Sequence, residues 1–91
     1  MSDYLRVSTR FGLVAREQTV RILAEMVANV IVVEVAVDEQ VAAGDTVCLL
    51  ESMKMEIPVL AETSGVVSAV RVAPGDVVQE GDILVELTTR R

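Results

Sequence analysis

The chain has no histidine, no tryptophan, one cysteine and one lysine among its 91 residues. Without histidine, no side chain trades a proton near neutral pH in the usual way, so a histidine-based catalytic set is excluded. A Cys/His metal site goes with it, and the single Cys48 cannot build a disulfide framework. Cys48 lies in the apolar run Val47-Cys48-Leu49-Leu50, where a small buried thiol is the ordinary role. Aromatic residues make up 2% of the chain, which rules out a stacking platform of the kind that grips single-stranded nucleic acid. No stretch approaches the ~20 consecutive apolar residues of a membrane-spanning helix. The N-terminus lacks the apolar core and small-residue cleavage site of a secretory leader, so a reduced, cytoplasmic location is expected.

Positive charge is scarce too. The net charge is −6, and residues 27–91 set Lys54 and three arginines against eleven acids, a balance of −7. Such a surface repels phosphate backbones and anionic lipid, so neither nucleic acid nor a membrane surface is expected as a partner. With no base, metal set or nucleophile pair in view, an enzyme acting alone is not expected.

What is abundant is valine. Nineteen valines in a chain that is 52% hydrophobic require an aliphatic core, and β-branched side chains suit a pleated surface. Valine-rich runs alternate with Gly-Asp turns at intervals of roughly ten residues, the spacing of an all-β sandwich or barrel. Strands are predicted at residues 30–37, 46–51, 56–61, 66–73 and 83–88, with turns at 38–45, 62–65 and 74–76. Pro58 lacks a ladder donor, so its strand is expected to be an edge or to have an unpaired position there. Residues 1–20 show neither clean alternation nor a helical stripe. They read as a poorly ordered or loosely docked extension, leaving residues 21–91 as the folded domain.

The chain also repeats itself. A shift of 37 residues lays Gly44-Asp45 on Gly81-Asp82 and matches Val30/Val67, Val33/Val70, Val35/Val72, Ala36/Ala73, Val41/Val78 and Leu50/Leu87. Eight of the 23 pairs from 29/66 to 51/88 are identical without a gap. Two copies of one strand-turn-strand unit therefore pack with a pseudo-two-fold relation, each supplying the other's core.

Between the two copies stands Glu51-Ser52-Met53-Lys54-Met55, holding the chain's one lysine. The strands on either side are a few residues apart, so Lys54 is expected at an exposed hairpin tip, where its ammonium stays in water. Met53 and Met55 lack the easy positive φ of glycine, so the turn is expected to be mildly strained. A lone exposed amine, once deprotonated, can attack an activated acyl group and become the root of a long arm. The flanking methionines are flexible and polarizable, as suits docking into another protein. Against this stands the reading of Lys54 as an ordinary solvated turn residue, outweighed by the agreement of the lone lysine, the hairpin and the repeat.

Glu-Ser-Met-Lys-Met-Glu, Gly65-Val66-Val67 and the turns at Gly44-Asp45, Gly75-Asp76 and Gly81-Asp82 resemble the biotin carboxyl carrier and biotin/lipoyl-attachment domain family over residues 24–88. The likeness is greatest to its short, stand-alone biotinylated carriers. It implies a flattened β-barrel (a barrel-sandwich hybrid) of two four-stranded antiparallel sheets. It also implies Lys54 as the biotinyl-lysine, with Met53, Met55 and Ser52 as its recognition residues. A biotin protein ligase would activate biotin as its adenylate for attack by Lys54. A biotin carboxylase would then load the ureido nitrogen, and a carboxyltransferase would pass the carboxyl group to an acceptor, commonly an acyl-CoA. Two alternatives stay open: a lipoyl carrier, disfavoured by Met53 and Met55, and an unmodified barrel-sandwich adaptor.

The chain departs from the family pattern at Ala28, where glycine is usual, and at Asp38-Glu39, where Gly-Asp is usual. A positive φ at residue 38 would strain aspartate, though less than most residues. Gly44, Gly65, Gly75 and Gly81 lack a GxGxxG spacing and read as turn residues. Glu51 and Glu56 read as solvated charges that aid ligase recognition.

Overall fold

Residues 17–90 are described by a computed structural model. Eight strands follow one another: β1 (Glu17–Leu23), β2 (Ala28–Val33), β3 (Gln40–Val41), β4 (Thr46–Ser52), β5 (Met55–Leu60), β6 (Gly65–Val70), β7 (Val77–Val78) and β8 (Ile83–Arg90). They form two four-stranded sheets, β1-β8-β6-β3 and β5-β4-β2-β7, with every neighbouring pair antiparallel. A 37-residue shift turns one strand order into the other. Pro58 sits on β5, an edge strand, as its missing N–H requires.

The repeat governs hydrogen bonds as well as strand order. The fourteen backbone hydrogen bonds that hold the turns and crossings of the described residues fall into seven pairs under the same shift. Val30 N to Asp76 O matches Val67 N to Glu39 O, and Gly44 N to Ala61 O matches Gly81 N to Ala24 O, all at 2.8 Å. Side chains cap the turns in parallel fashion. Asp45 Oδ2 accepts from Ala42 N and Asp82 Oδ2 from Gln79 N, while Glu39 Oε1 accepts from Ala36 N and Asp76 Oδ2 from Ala73 N.

Bulges recur too, and they shape the core. In β4 the register jumps between Thr46 and Cys48, and β1 likewise pairs Leu23 with Ile83 but Ile22 with Val85. One extra residue in β4 and in β8 lets two consecutive side chains face inward, which strict alternation forbids. Val47-Cys48 and Leu84-Val85 are accordingly all buried. The core then reads as repeat partners: Ala24 with Ala61, Val30 with Val67, Val41 with Val78, Val47 with Leu84, Cys48 with Val85 and Leu50 with Leu87. Each large aliphatic side chain so buried contributes about 1.5–3 kcal/mol of transfer free energy.

Cys48 therefore occupies the place of a valine. Burial pushes its thiol up to about 11 from an ordinary 9.0. The folded state holds the proton more tightly than the unfolded state does. The resulting stability is complete below pH 9 and is lost as the pH rises through 11. At pH 8 the native thiol is expected to react with an aromatic disulfide reagent about a hundredfold or more slowly than the unfolded chain, because reaction requires opening. Reaction at the unfolded rate would show that Cys48 is not enclosed.

Several sequence expectations need correction. The boundary between residues 20 and 21 falls inside β1, because Val20 and Ile22 pack against the core while β1 pairs with β8 from Glu17↔Arg90 onward. Residues 1–16 lie outside the described residues. The strand expected at 30–37 ends at Val33, and that expected at 66–73 ends at Val70. Beyond each end the chain crosses between sheets: Glu34 N donates to Val47 O in one sheet, and Asp38 N to Val67 O in the other. The short strand β3 lies in a stretch read as turn, and β7 follows the turn at 74–76 in a stretch to which no strand was assigned.

Two departures from the family pattern resolve differently. Asp38 does adopt a positive φ, 76°, where its repeat partner Gly75 has 95°. Ala28 is buried without difficulty, but its partner Gly65 is closely constrained. A Cβ at Gly65 would lie 2.7 Å from the carbonyl oxygen of Thr88 on the paired strand β8. Gly65→Ala is expected to destabilise the fold by about 1–3 kcal/mol, the usual cost of overpacking. Chemical denaturation checks this; an unchanged midpoint would show that β6 and β8 separate freely.

Candidate functional site: a lysine on a two-residue hairpin

The β4–β5 ladder runs Leu49↔Pro58, Leu50↔Ile57, Glu51↔Glu56 and Ser52↔Met55, so only Met53 and Lys54 remain to turn the chain. A two-residue hairpin matches the twist of its strands when both central residues have positive φ. Met53 at 52° and Lys54 at 64° satisfy this. Neither is glycine, so each costs about 1–2 kcal/mol of backbone strain, sustained by the ladder beneath. The expected strain is thus present, and it lies at the lysine.

The geometry holds these side chains out. Met53 is 91% exposed and Met55 64%. Lys54 is exposed, and Ser52 is half-buried at the base of the turn. Among the described residues no hydrogen bond or ion pair engages the Lys54 ammonium. A free amine on a stiff support suits acylation: the amide would replace an exposed charge, with no buried partner left unsatisfied. The residues present therefore fit a prosthetic group joined through a carboxyl carbon.

Ser52, Met53, Lys54 and Met55 are contiguous, so the structure brings all four sequence candidates together. It adds others from distant positions. Register places Val77 beside Asn29, Asn29 beside Glu51, and Glu51 beside Glu56, one row below the Ser52↔Met55 pair. All four of these residues are exposed. An open depression of about 370 Å³ runs from Lys54 and Met53 to Val27, Asn29 and Val77. Glu51 and Glu56 face each other as like charges, which costs stability and makes the tip acidic. A larger hollow of about 510 Å³ lies between the edge strands β1 and β5 and contains none of the candidate residues. Among the described residues no group of three or more His, Cys, Asp or Glu side chains could hold a metal, and no helix is long and apolar enough to cross a membrane.

Comparison with known proteins fits this geometry. Residues 19–87 match the family model described as biotin-requiring enzyme, the biotin/lipoyl domain. The chain is 56% identical over 61 residues to a biotinylated protein TB7.3 homolog of Mycobacterium leprae, covering 67% of this chain and 86% of the relative. It is 47% identical over 64 residues to a biotin/lipoyl attachment protein of Bacillus subtilis, covering 70% and 88%. A single-chain, multi-domain long-chain acyl-CoA carboxylase superposes with a TM-score of 0.73 at 30% identity, over 80% of this chain but 7% of that one. The barrel is thus comparable in length to the short relatives and to one domain of the carboxylase. With the family model spanning most of the chain and a lysine held out on the hairpin between two matched halves, the chain belongs to the biotin-requiring enzyme family, as a biotin/lipoyl-type attachment domain.

Proposed function

We propose that Lys54 carries covalent biotin and that the chain serves as a biotin carboxyl carrier. The supporting observation is Lys54, exposed and without a partner among the described residues, on a two-residue hairpin whose backbone is fixed by the β4–β5 ladder. A biotin protein ligase supplies biotin with its carboxyl carbon activated. The deprotonated Nζ of Lys54 attacks that carbon; the N–C amide bond forms, the bond to the activating group breaks, and the displaced proton passes to the ligase or solvent. Once attached, biotin supplies a ureido nitrogen that takes up a carboxyl group in one active site and releases it in another. Everything else the chain does is positional. The β4–β5 ladder fixes the root of the arm, Ser52 closes that ladder opposite Met55, and Met53 and Met55 present an adaptable apolar collar to the ligase.

The active sites belong to partner proteins, a biotin carboxylase and a carboxyltransferase. The domain's own contribution is tethering, which raises the local concentration of the cofactor at both without new contacts. This reading places the chain in the cytoplasm, where a free Cys48 stays reduced. Lipoate is the second candidate cargo, since the Bacillus subtilis relative is named a biotin/lipoyl attachment protein; Met53 and Met55 favour biotin. Co-expression with a biotin protein ligase tests the proposal. Intact mass is expected to rise by one biotinyl group, whereas a lipoyl-sized increment, or none beside an active ligase, contradicts it.

A further inference from the structure

We infer that Val27 and Val77, with Met53 and Met55, form the surface on which biotin protein ligase docks before it reaches Lys54. The inference rests on the carrier reading above. The four most exposed large hydrophobic residues described are Met53 (91%), Val77 (66%), Met55 (64%) and Val27 (62%). They come from the β1–β2 connection, the β4–β5 hairpin and β7, yet Val27, Met53 and Val77 line one depression with Lys54. Solvent exposure of so many apolar groups in one place has no folding benefit and marks an interaction surface.

The repeat supplies an internal control. At the opposite end of the barrel the pairs β6–β3 and β8–β1 repeat β2–β7 and β4–β5, but β8 and β1 are not joined by a hairpin like the one that carries Lys54. Shifting by 37 residues, Val27 corresponds to Ser64, Val77 to Gln40, Met53 to Arg90 and Met55 to Gln18. Every apolar residue of the collar is polar in its repeat partner. The barrel therefore does not require these side chains for its construction; the lysine end has them for a separate purpose. The exchange runs the other way once, at Asn29 against Val66, and this sets an amide donor and acceptor beside Val77 in the same depression.

Proximity identifies the occupant. The ligase must bring an acyl carbon to Nζ itself, so its surface has to come within one lysine side chain of the hairpin. Whatever lines the same depression as Lys54 is then covered. Carboxyl-transfer partners act at the far end of the finished arm and have no such requirement. Glu51, Glu56 and Asp76 are exposed around the patch. The complementary ligase surface accordingly has an apolar centre and a basic rim.

The test exchanges the collar for its own repeat partners, as Val27→Ser/Val77→Gln. Initial rates of biotinylation are measured against carrier concentration, using a purified biotin protein ligase that modifies the wild-type chain. KM is expected to rise about tenfold or more while kcat stays within about twofold, since two apolar side chains lose the free energy of burial on docking and the reacting amine is untouched. The melting temperature should hold, because both valines are mostly exposed. The conservative pair Val27→Ile/Val77→Ile, which keeps the patch apolar, should retain the wild-type KM. An unchanged KM in the polar variant overturns the docking surface while leaving the carrier reading intact. So does a normal ligase reaction combined with slower carboxyl transfer, which would assign the patch to a later partner. A wild-type chain that no ligase modifies removes the carrier reading, and the docking surface with it.

Discussion

Lys54→Arg is expected to abolish biotin attachment completely while leaving the barrel intact. Arginine keeps the charge, the length and the exposure of the side chain, so nothing about folding or solubility changes at this tip. A surface substitution of this kind shifts stability by about 0.5 kcal/mol or less. What changes is chemistry. A guanidinium stays protonated at any working pH and offers no nucleophilic lone pair, whereas a lysine amine is freed by losing one proton. Lys54 is the chain's one lysine, so no side-chain amine remains to substitute for it. A streptavidin blot and intact mass of the variant, co-expressed with ligase, should both show no biotin. A biotinylated Lys54→Arg chain would mean that the attachment point is elsewhere.

The largest structural effect is expected from Leu87→Ala. Leu87 is fully buried on β8, where it stands opposite Val20 of β1 and Val67 of β6. Its repeat partner Leu50 occupies the corresponding place on β4, opposite Val30 and Ile57. Truncation removes transfer free energy and leaves a cavity that two bonded sheets cannot easily close. The expected cost is about 3–5 kcal/mol. A domain of this size has about 5–15 kcal/mol to lose, so the variant should unfold at a much lower denaturant concentration with an unchanged slope. Biotinylation should then decline only in proportion to the unfolded fraction, unlike the complete loss at Lys54→Arg. A loss below about 1 kcal/mol would indicate that the two sheets collapse onto the gap.

These two residues show why part of the molecule could be read directly from the sequence. Leu87 and Leu50 are repeat partners, and the repeat is visible because buried positions of both halves had to accept the same aliphatic shapes. Lys54 is visible because it is unique and local, its hairpin being made by consecutive residues. The fold's less legible parts have physical causes. Strands of two residues, such as Gln40–Val41 and Val77–Val78, carry no periodicity. The alternation of half-buried Val33 and Val35 continues past the end of β2, so pattern alone extends a strand whose ladder has already changed sheets. Strand β1 is half-buried at Val20 and Ile22, with Arg21 exposed between them, a weak signal beside an arginine-rich segment. At the site, Val27, Asn29 and Val77 escape notice because only the β2–β7 and β2–β4 registers bring them beside the hairpin. Comparing each residue with its partner 37 positions away would have singled them out, since it pairs valine with serine and glutamine on the surface.

The positive φ values divide in the same way. Asp38 at 76° follows from its alignment with Gly75, whereas the pair at Met53 and Lys54 has no glycine counterpart to announce it. A chain selected only to turn would place Asn-Gly there. Retaining Met-Lys in a turn that disfavours both is consistent with the side chains being needed where they are.

The most direct measurement is tandem mass spectrometry of the chain purified from its own cells, with every peptide carrying an amine mapped. The carrier reading predicts a biotinyl amide on the Nζ of Lys54 and on no other amine. A lipoyl group on Lys54, or an unmodified Lys54 in cells whose other carriers are biotinylated, would contradict it.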